Sequence, residues 1–163
     1  MSRLVLELES LLNEMIAENQ RLLHHLMLQQ SAMKRFDLPA MDTAGKHQEA
    51  SRLRVAGLEA RRRGVVAQFS REQGSRIDLT IADIAALDPA RGPALLKQRA
   101  KLKDLVVQVS SRAQVASRLA GAVLGHLNTV VRLLAGAVEK AGLYTKYGVP
   151  QVSARIGVME AVA

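Results

Sequence analysis

Residues Ala94–Ala141 read ALLKQRAKLKDLVVQVSSRAQVASRLAGAVLGHLNTVVRLLAGAVEKA, and this stretch decides the fold. Leu95, Leu102, Val106, Val109, Ala113, Ala116, Ala120, Val123, Leu127, Val130, Leu134, Ala137 and Ala141 follow one another at spacings of three and four, and only Arg99 interrupts the row. On an α-helix that spacing gathers side chains onto one stripe in coiled-coil rhythm. As one continuous helix the stretch would be ~70 Å long at about 1.5 Å per residue. Its middle is rich in Ala and Gly (Ala113, Ala116, Ala120, Gly121, Ala122, Gly125), which lets a neighbouring helix approach closely. Gly142 is well placed as its C-cap.

Upstream, Arg91-Gly92-Pro93 leads into this helix, and Asp88-Pro89 closes a short one before it, Ile81 to Leu87. Thr80, with Asp83 three residues on, is a good N-cap for the short helix. A second long segment starts between Pro39 and Thr43 and runs to about Gln73, where Gly74-Ser75 ends it. Its row is Met41, Ala44, Gln48, Ser51, Val55, Leu58, Arg62, Val65 and Phe69, so packing should weaken around the polar members Gln48, Ser51 and Arg62. The first segment runs from Ser2 to about Phe36 on Leu4, Leu8, Leu11, Met15, Leu22, Leu26 and Met33, and Leu12, Leu23 and Met27 widen its stripe enough for two neighbours. Asp37-Leu38-Pro39 stops it, because the residue before Pro is pushed out of the helical region.

The expected fold is therefore all-α, an elongated antiparallel three-helix bundle or coiled coil with helices at about 2–36, 40–73, 81–87 and 94–141. Residues 1–148 form the helical domain and residues 149–163 a mobile C-terminal tail. Val149, Val152, Ile156, Val158, Met159 and Val162 make that tail partly apolar, so it is either docked on the bundle or waiting for a partner.

Composition narrows the function. The chain of 163 residues has no Cys, which excludes disulfides, thiolate metal sites and a cysteine nucleophile. His24 and His25 are adjacent and point ~100° apart on a helix, which disfavours a shared metal. His47 and His126 lack a ligand at i+3 or i+4, and Glu14 with Glu18 lacks the Glu-x-x-His pattern of bundle metal sites; solvated helix faces account for all of them. No Gly-x-Ser-x-Gly elbow, Walker loop or strand-linked Gly-x-Gly-x-x-Gly occurs. The reading is no enzyme, no cofactor and no metal. Between Arg118 and Arg132 the 13 weakly polar residues include His126 and Asn128, too few and too polar to span a bilayer. A soluble, cytoplasmic protein without membrane insertion is expected.

The net charge of +8 is uneven. Residues 46–76 carry a local +5 and residues 90–118 a local +6, whereas residues 1–33 carry −2. A basic surface fits nucleic acid or an acidic partner. It fits equally a solubilising surface, with attraction between an acidic first helix and basic neighbours. Aromatics that could stack on bases are not interleaved with the basic runs. A basic helical nucleic-acid-associated or adaptor protein is thus the alternative reading rather than the first.

One combination is more specific. A Leu-rich N-terminal helix is followed by Leu58-Glu59-Ala60-Arg61-Arg62, then by Leu79-Thr80-Ile81-Ala82, then by a long helix with Asn128 and Leu143-Tyr144-Thr145-Lys146-Tyr147-Gly148. Over about residues 2–148 this order resembles the FlgN family, flagellar export chaperones for hook-associated proteins. The resemblance implies an all-helical type III export chaperone that binds the C-terminal helical segments of hook-associated proteins in the cytoplasm. It would prevent their premature assembly and deliver them to the cytoplasmic domain of the export-gate protein. It also implies gate docking by a tyrosine near the C-terminal end, a position matched by Tyr144; Tyr147 is a further aromatic beside it that the resemblance does not place, and a candidate for an additional contact. A client helix needs an apolar groove. Leu124, Leu127, Val131, Leu134 and Val138 are the candidates, and each could equally be intramolecular core.

Overall fold

The structure is a computed structural model that describes the backbone of residues 2–142 and the side-chain surroundings of residues 3–136. The described residues contain four helices and no strand: α1 (Ser2–Lys34), α2 (Leu38–Glu72), α3 (Ile81–Leu87) and α4 (Gly92–Gly142). The chain divides into two units, residues 1–120 and residues 121–163.

Local chemistry sets each boundary. At the end of α1, Phe36 takes a left-handed φ of 55°. Its N–H donates to the Met33 carbonyl (3.2 Å) and the Asp37 N–H to the Ala32 carbonyl (3.0 Å), which satisfies carbonyls the helix would leave open. Asp37 then caps α2, its Oδ1 accepting from the Ala40 N–H at 3.1 Å. Pro39 therefore lies inside α2 rather than before it, because Pro in a first turn gives up only an N–H that has no helical partner. α2 ends in the same motif on Gly74 at φ 68°. There the Ser75 N–H reaches the Ser70 carbonyl at 2.9 Å. The buried Ser70 hydroxyl accepts from the Leu79 N–H (2.8 Å) and ties the connecting segment to α2. Thr80 and Asp83 form the full capping box of α3. α3 and α4 meet so closely that a Cβ on Gly92 would stand 2.2 Å from the Ala85 carbonyl oxygen.

Within residues 1–120 all four helices share one core. Leu4, Val5, Leu8, Leu11 and Leu12 of α1 pack with Val65, Val66 and Phe69 of α2, Ile84 and Ala85 of α3, and Leu95 of α4. A second cluster joins Leu22 and Leu26 to Ala116, with Val109 against it. α1 and α2 are antiparallel neighbours through the Phe36 turn. Glu9–Arg91 (2.8 Å) and Gln30 to the Arg112 carbonyl (2.9 Å) share one sequence offset, 82. α4 thus runs parallel to α1 in fixed register across that span.

The central α1 row is buried at every position from Leu4 to Met33; of the residues expected to widen it, Leu12 is buried, Leu23 half-buried and Met27 exposed. The α4 row is not buried throughout. Over residues 95–116 it separates into two columns. Leu95, Leu102, Val109 and Ala116 are buried or half-buried, while Arg99, Val106 and Ala113 are exposed. Leu105, outside the row, is buried. A seven-residue row drifts about 20° per heptad around a straight α-helix, and one column is enough to meet α1.

Between the two clusters lies a polar layer. Glu18 is only 3% exposed, and its carboxylate accepts from Arg21 (2.7 Å) and Arg54 (2.9 Å). Burial pushes its pKa up, but hydrogen bonds from Ser51, Arg54 and Arg21 and the Arg54 charge outweigh that and hold it below the ordinary value. Asn19, also buried, donates to the Met15 carbonyl at 2.8 Å. Gln48 donates to the His25 carbonyl (3.2 Å) and to Gln29 (2.9 Å). The His25 ring stacks on His47 with centroids 5.0 Å apart, and its buried Nδ1 has no partner. Burial, then His47 and His24, pull the His25 pKa below its ordinary 6.5, against the opposing pull of Glu18. Glu18 and His25 are thus built into the packing, not solvated as their sequence context implies.

Two predictions follow from this packing. Gly92→Ala should lower stability by about 1–3 kcal/mol, since the backbone of Ala85 must move. Gly64→Ala, with nothing within 4 Å of its Cβ, should raise stability by about 0.5–1 kcal/mol. Urea unfolding of the two variants measures both. Because the folded chain refuses a proton at His25 that the unfolded chain takes up, stability should fall as pH drops below 6.5 toward the folded pKa. The slope of unfolding free energy between pH 7.5 and 5.5 should flatten in His25→Gln.

Candidate functional site

Residues 121–136 of α4 form the candidate site. At ~100° per residue, Leu124, Leu127, Val131 and Leu134 fall within an arc of about 80°. They are 67%, 42%, 61% and 62% exposed, so the four candidate residues share one open face. Val138 belongs to α4, but its side chain lies outside the described residues. Tyr144, Tyr147 and the segment 149–163 also lie outside them.

The face is wider than the sequence row suggested. Val130 and Leu133, neither of them among the candidates, are exposed as well. They extend the apolar arc to about 180°. Val130 belongs to the heptad row itself, whereas Leu133 is found only from the full set of apolar residues on a 3.6-residue period. The opposite side carries Gly121, Gly125, Asn128, Thr129 and Arg132. The Thr129 hydroxyl turns back to the Gly125 carbonyl at 3.0 Å and leaves that side smooth. One-sidedness bears on a second finding: residues 92–136 are long and apolar enough, by length and composition, to cross a membrane. A spanning helix is apolar all round, whereas a helix with one apolar half suits a protein partner.

The basic stretches look different in three dimensions. Arg54 pairs with Glu18, Arg61 with Glu14 (3.7 Å) and Arg91 with Glu9, so the acidic α1 engages cations of α2 and of the turn that leads into α4. Within α2, Lys46 pairs with Asp42, Arg52 with Glu49, and Arg62 and Arg63 with Glu59. Two hydrogen bonds from Arg62, at 2.7 and 2.8 Å, lead the effects that keep the Glu59 carboxyl below its usual pKa. Six of the eight basic groups between residues 46 and 76 thus have a carboxylate partner. Such pairs add little stability at a surface, but they leave fewer open cations for a phosphate backbone. Among the described residues no group of three or more His, Cys, Asp and Glu could hold a metal ion.

Comparison with curated proteins and with solved structures found no match. The family model for FlgN protein matches residues 1–151. That match takes in all four helices, including the open apolar face of α4, and the Leu-Tyr-x-x-x-Gly element after them. The chain is therefore a member of the FlgN family, flagellar export chaperones.

Proposed function

We propose that this protein is a cytoplasmic type III flagellar export chaperone with hook-associated proteins as its clients. The C-terminal helical segment of the client lies along the α4 face of Leu124, Leu127, Val131, Leu134 and Val138. The loaded chaperone docks on the cytoplasmic domain of the export-gate protein through Tyr144, with Tyr147 as an added contact. In this reading the helices of residues 1–120 are arranged as an antiparallel bundle. The open face of α4 in a chain of this family carries the reading, because large apolar side chains exposed side by side call for a partner.

The physics of such a complex is simple. A client helix presents apolar residues at i, i+3, i+4 and i+7 to the face. Each Leu or Val it covers contributes about 1.5–3 kcal/mol if burial is complete. A large part of that sum is offset by lost translational freedom and by ordering of the client. While bound, the client cannot use the same residues to assemble with other flagellar subunits. No reaction, metal or cofactor takes part.

The test uses the C-terminal helical segments of hook-associated proteins from the organism that supplies this chain. Leu127→Glu and Leu134→Glu should each weaken binding at least 100-fold, read by calorimetry, with helicity and melting temperature unchanged. Undiminished binding would reject the face; loss of folding in every such variant would assign these residues to the core instead. Tyr144→Ala should keep client affinity and lose binding to the purified gate domain.

A further inference from the structure

The interruption of the α4 row at Arg99 is not explained by the client face. Arg99 lies on a groove of about 610 Å³ between α2, residues 78–81 and α4. Leu79 and Ile81 form one apolar wall, half-buried. Leu102, Val106 and Val107 form the other, and the two valines are 50% and 61% exposed. At ~100° per residue, Val106, Arg99, Lys103 and Val107 lie within an arc of about 100° beside the column that meets α1. This is the outer column of the row. Its rhythm gives an exposed strip here, not core.

The charges of the groove say what kind of partner fits. Arg62, Arg63, Arg99 and Lys103 line it against Glu59 and Asp78. Glu59 is already engaged by Arg62 and Arg63. Neither Arg99 nor Lys103 forms an ion pair among the described residues. They stand one turn apart on α4, and like charges at i and i+4 repel. An apolar strip with two cations outside any described ion pair, and more cations than carboxylates around it, asks for an apolar ridge with carboxylates beside it. The chain's own C-terminal segment does not qualify, since Lys146 and Arg155 outnumber Glu160 in residues 143–163.

We propose that this groove docks a short acidic amphipathic helix of a partner protein. Apolar residues at i, i+4 and i+7 of that helix seat between Leu79–Ile81 and Val106–Val107. Its Asp or Glu side chains pair with Arg99 and Lys103. From Arg99 to Val107 is about 12 Å of helix rise, enough for two turns of the partner. The site is separate from the client face on residues 124–138 and does not depend on it.

Two synthetic 16-residue helical peptides test the proposal. Both have Leu at i, i+4, i+7 and i+11; one is flanked by Glu and the other by Lys. Binding is read by fluorescence anisotropy on the full chain carrying Leu127→Glu and Leu134→Glu, so that the client face cannot contribute. The Glu peptide should bind, severalfold more weakly at 300 mM than at 50 mM salt. Adding R99E and K103E should lower its affinity at least tenfold and raise that of the Lys peptide, with an unchanged melting curve. R99Q with K103Q should give an intermediate loss. Equal binding of the two peptides, or no effect of either double change, would overturn the proposal. Failure here leaves the client face untouched, and failure of the client face leaves this groove untouched.

Discussion

A carboxylate buried without partners costs several kcal/mol, and Glu18 sits where that penalty would fall on the middle of α1. The penalty is met only in one alignment of α1 and α2, the one that brings Arg54 and Ser51 beside it. A slip of one residue would turn the carboxylate onto apolar neighbours and pull Arg54 away. The apolar clusters on either side tolerate sliding far better than a charge does. Glu18 therefore acts as the register pin of the hairpin. The position of α4 follows, because both of its polar ties to α1, through Glu9 and Gln30, are measured along that same helix.

α4 shows how one periodic pattern serves different ends along its length. Between Leu95 and Ala116 it gives one column to the core and turns the other toward a groove. Between Gly121 and Gly136 its apolar half is open. Most of the bulky residues stand on one side and most of the small or polar residues on the other. A pre-formed helix of this kind carries no ordering cost of its own into an association.

Much of this was legible in the sequence. The central α1 row, the Thr80–Asp83 cap, the α3 bounds and the start of α4 within two residues follow from spacing and capping chemistry, which act over a few residues. The start of α2 was misjudged by two residues because Pro39 reads both as a breaker and as a first-turn residue, and only Asp37 as cap decides between them. The burial of Glu18 and the stacking of His25 on His47 were not legible, since each needs a partner on α2 that no local pattern points to. The candidate face was legible as an excess of apolar residues at 124, 127, 131 and 134. Whether they faced core or solvent was not, because periodicity records which side of a helix is apolar and not what covers it.

The ties that hold α1 to α2 close short loops, with sequence separations of 19 at Gln29–Gln48 and 36 at Glu18–Arg54. Those that hold α4 to α1 close loops of 82. Loop-closure entropy grows with the logarithm of length, so each α4 tie costs about 1 kcal/mol more to form than the shortest hairpin tie. The hairpin can zip from the Phe36 turn outward, whereas α4 must find a surface that already exists. The order of assembly is thereby written into the chain. Closure entropy favours the α1–α2 hairpin forming first, with residues 92–116 of α4 settling on it afterwards.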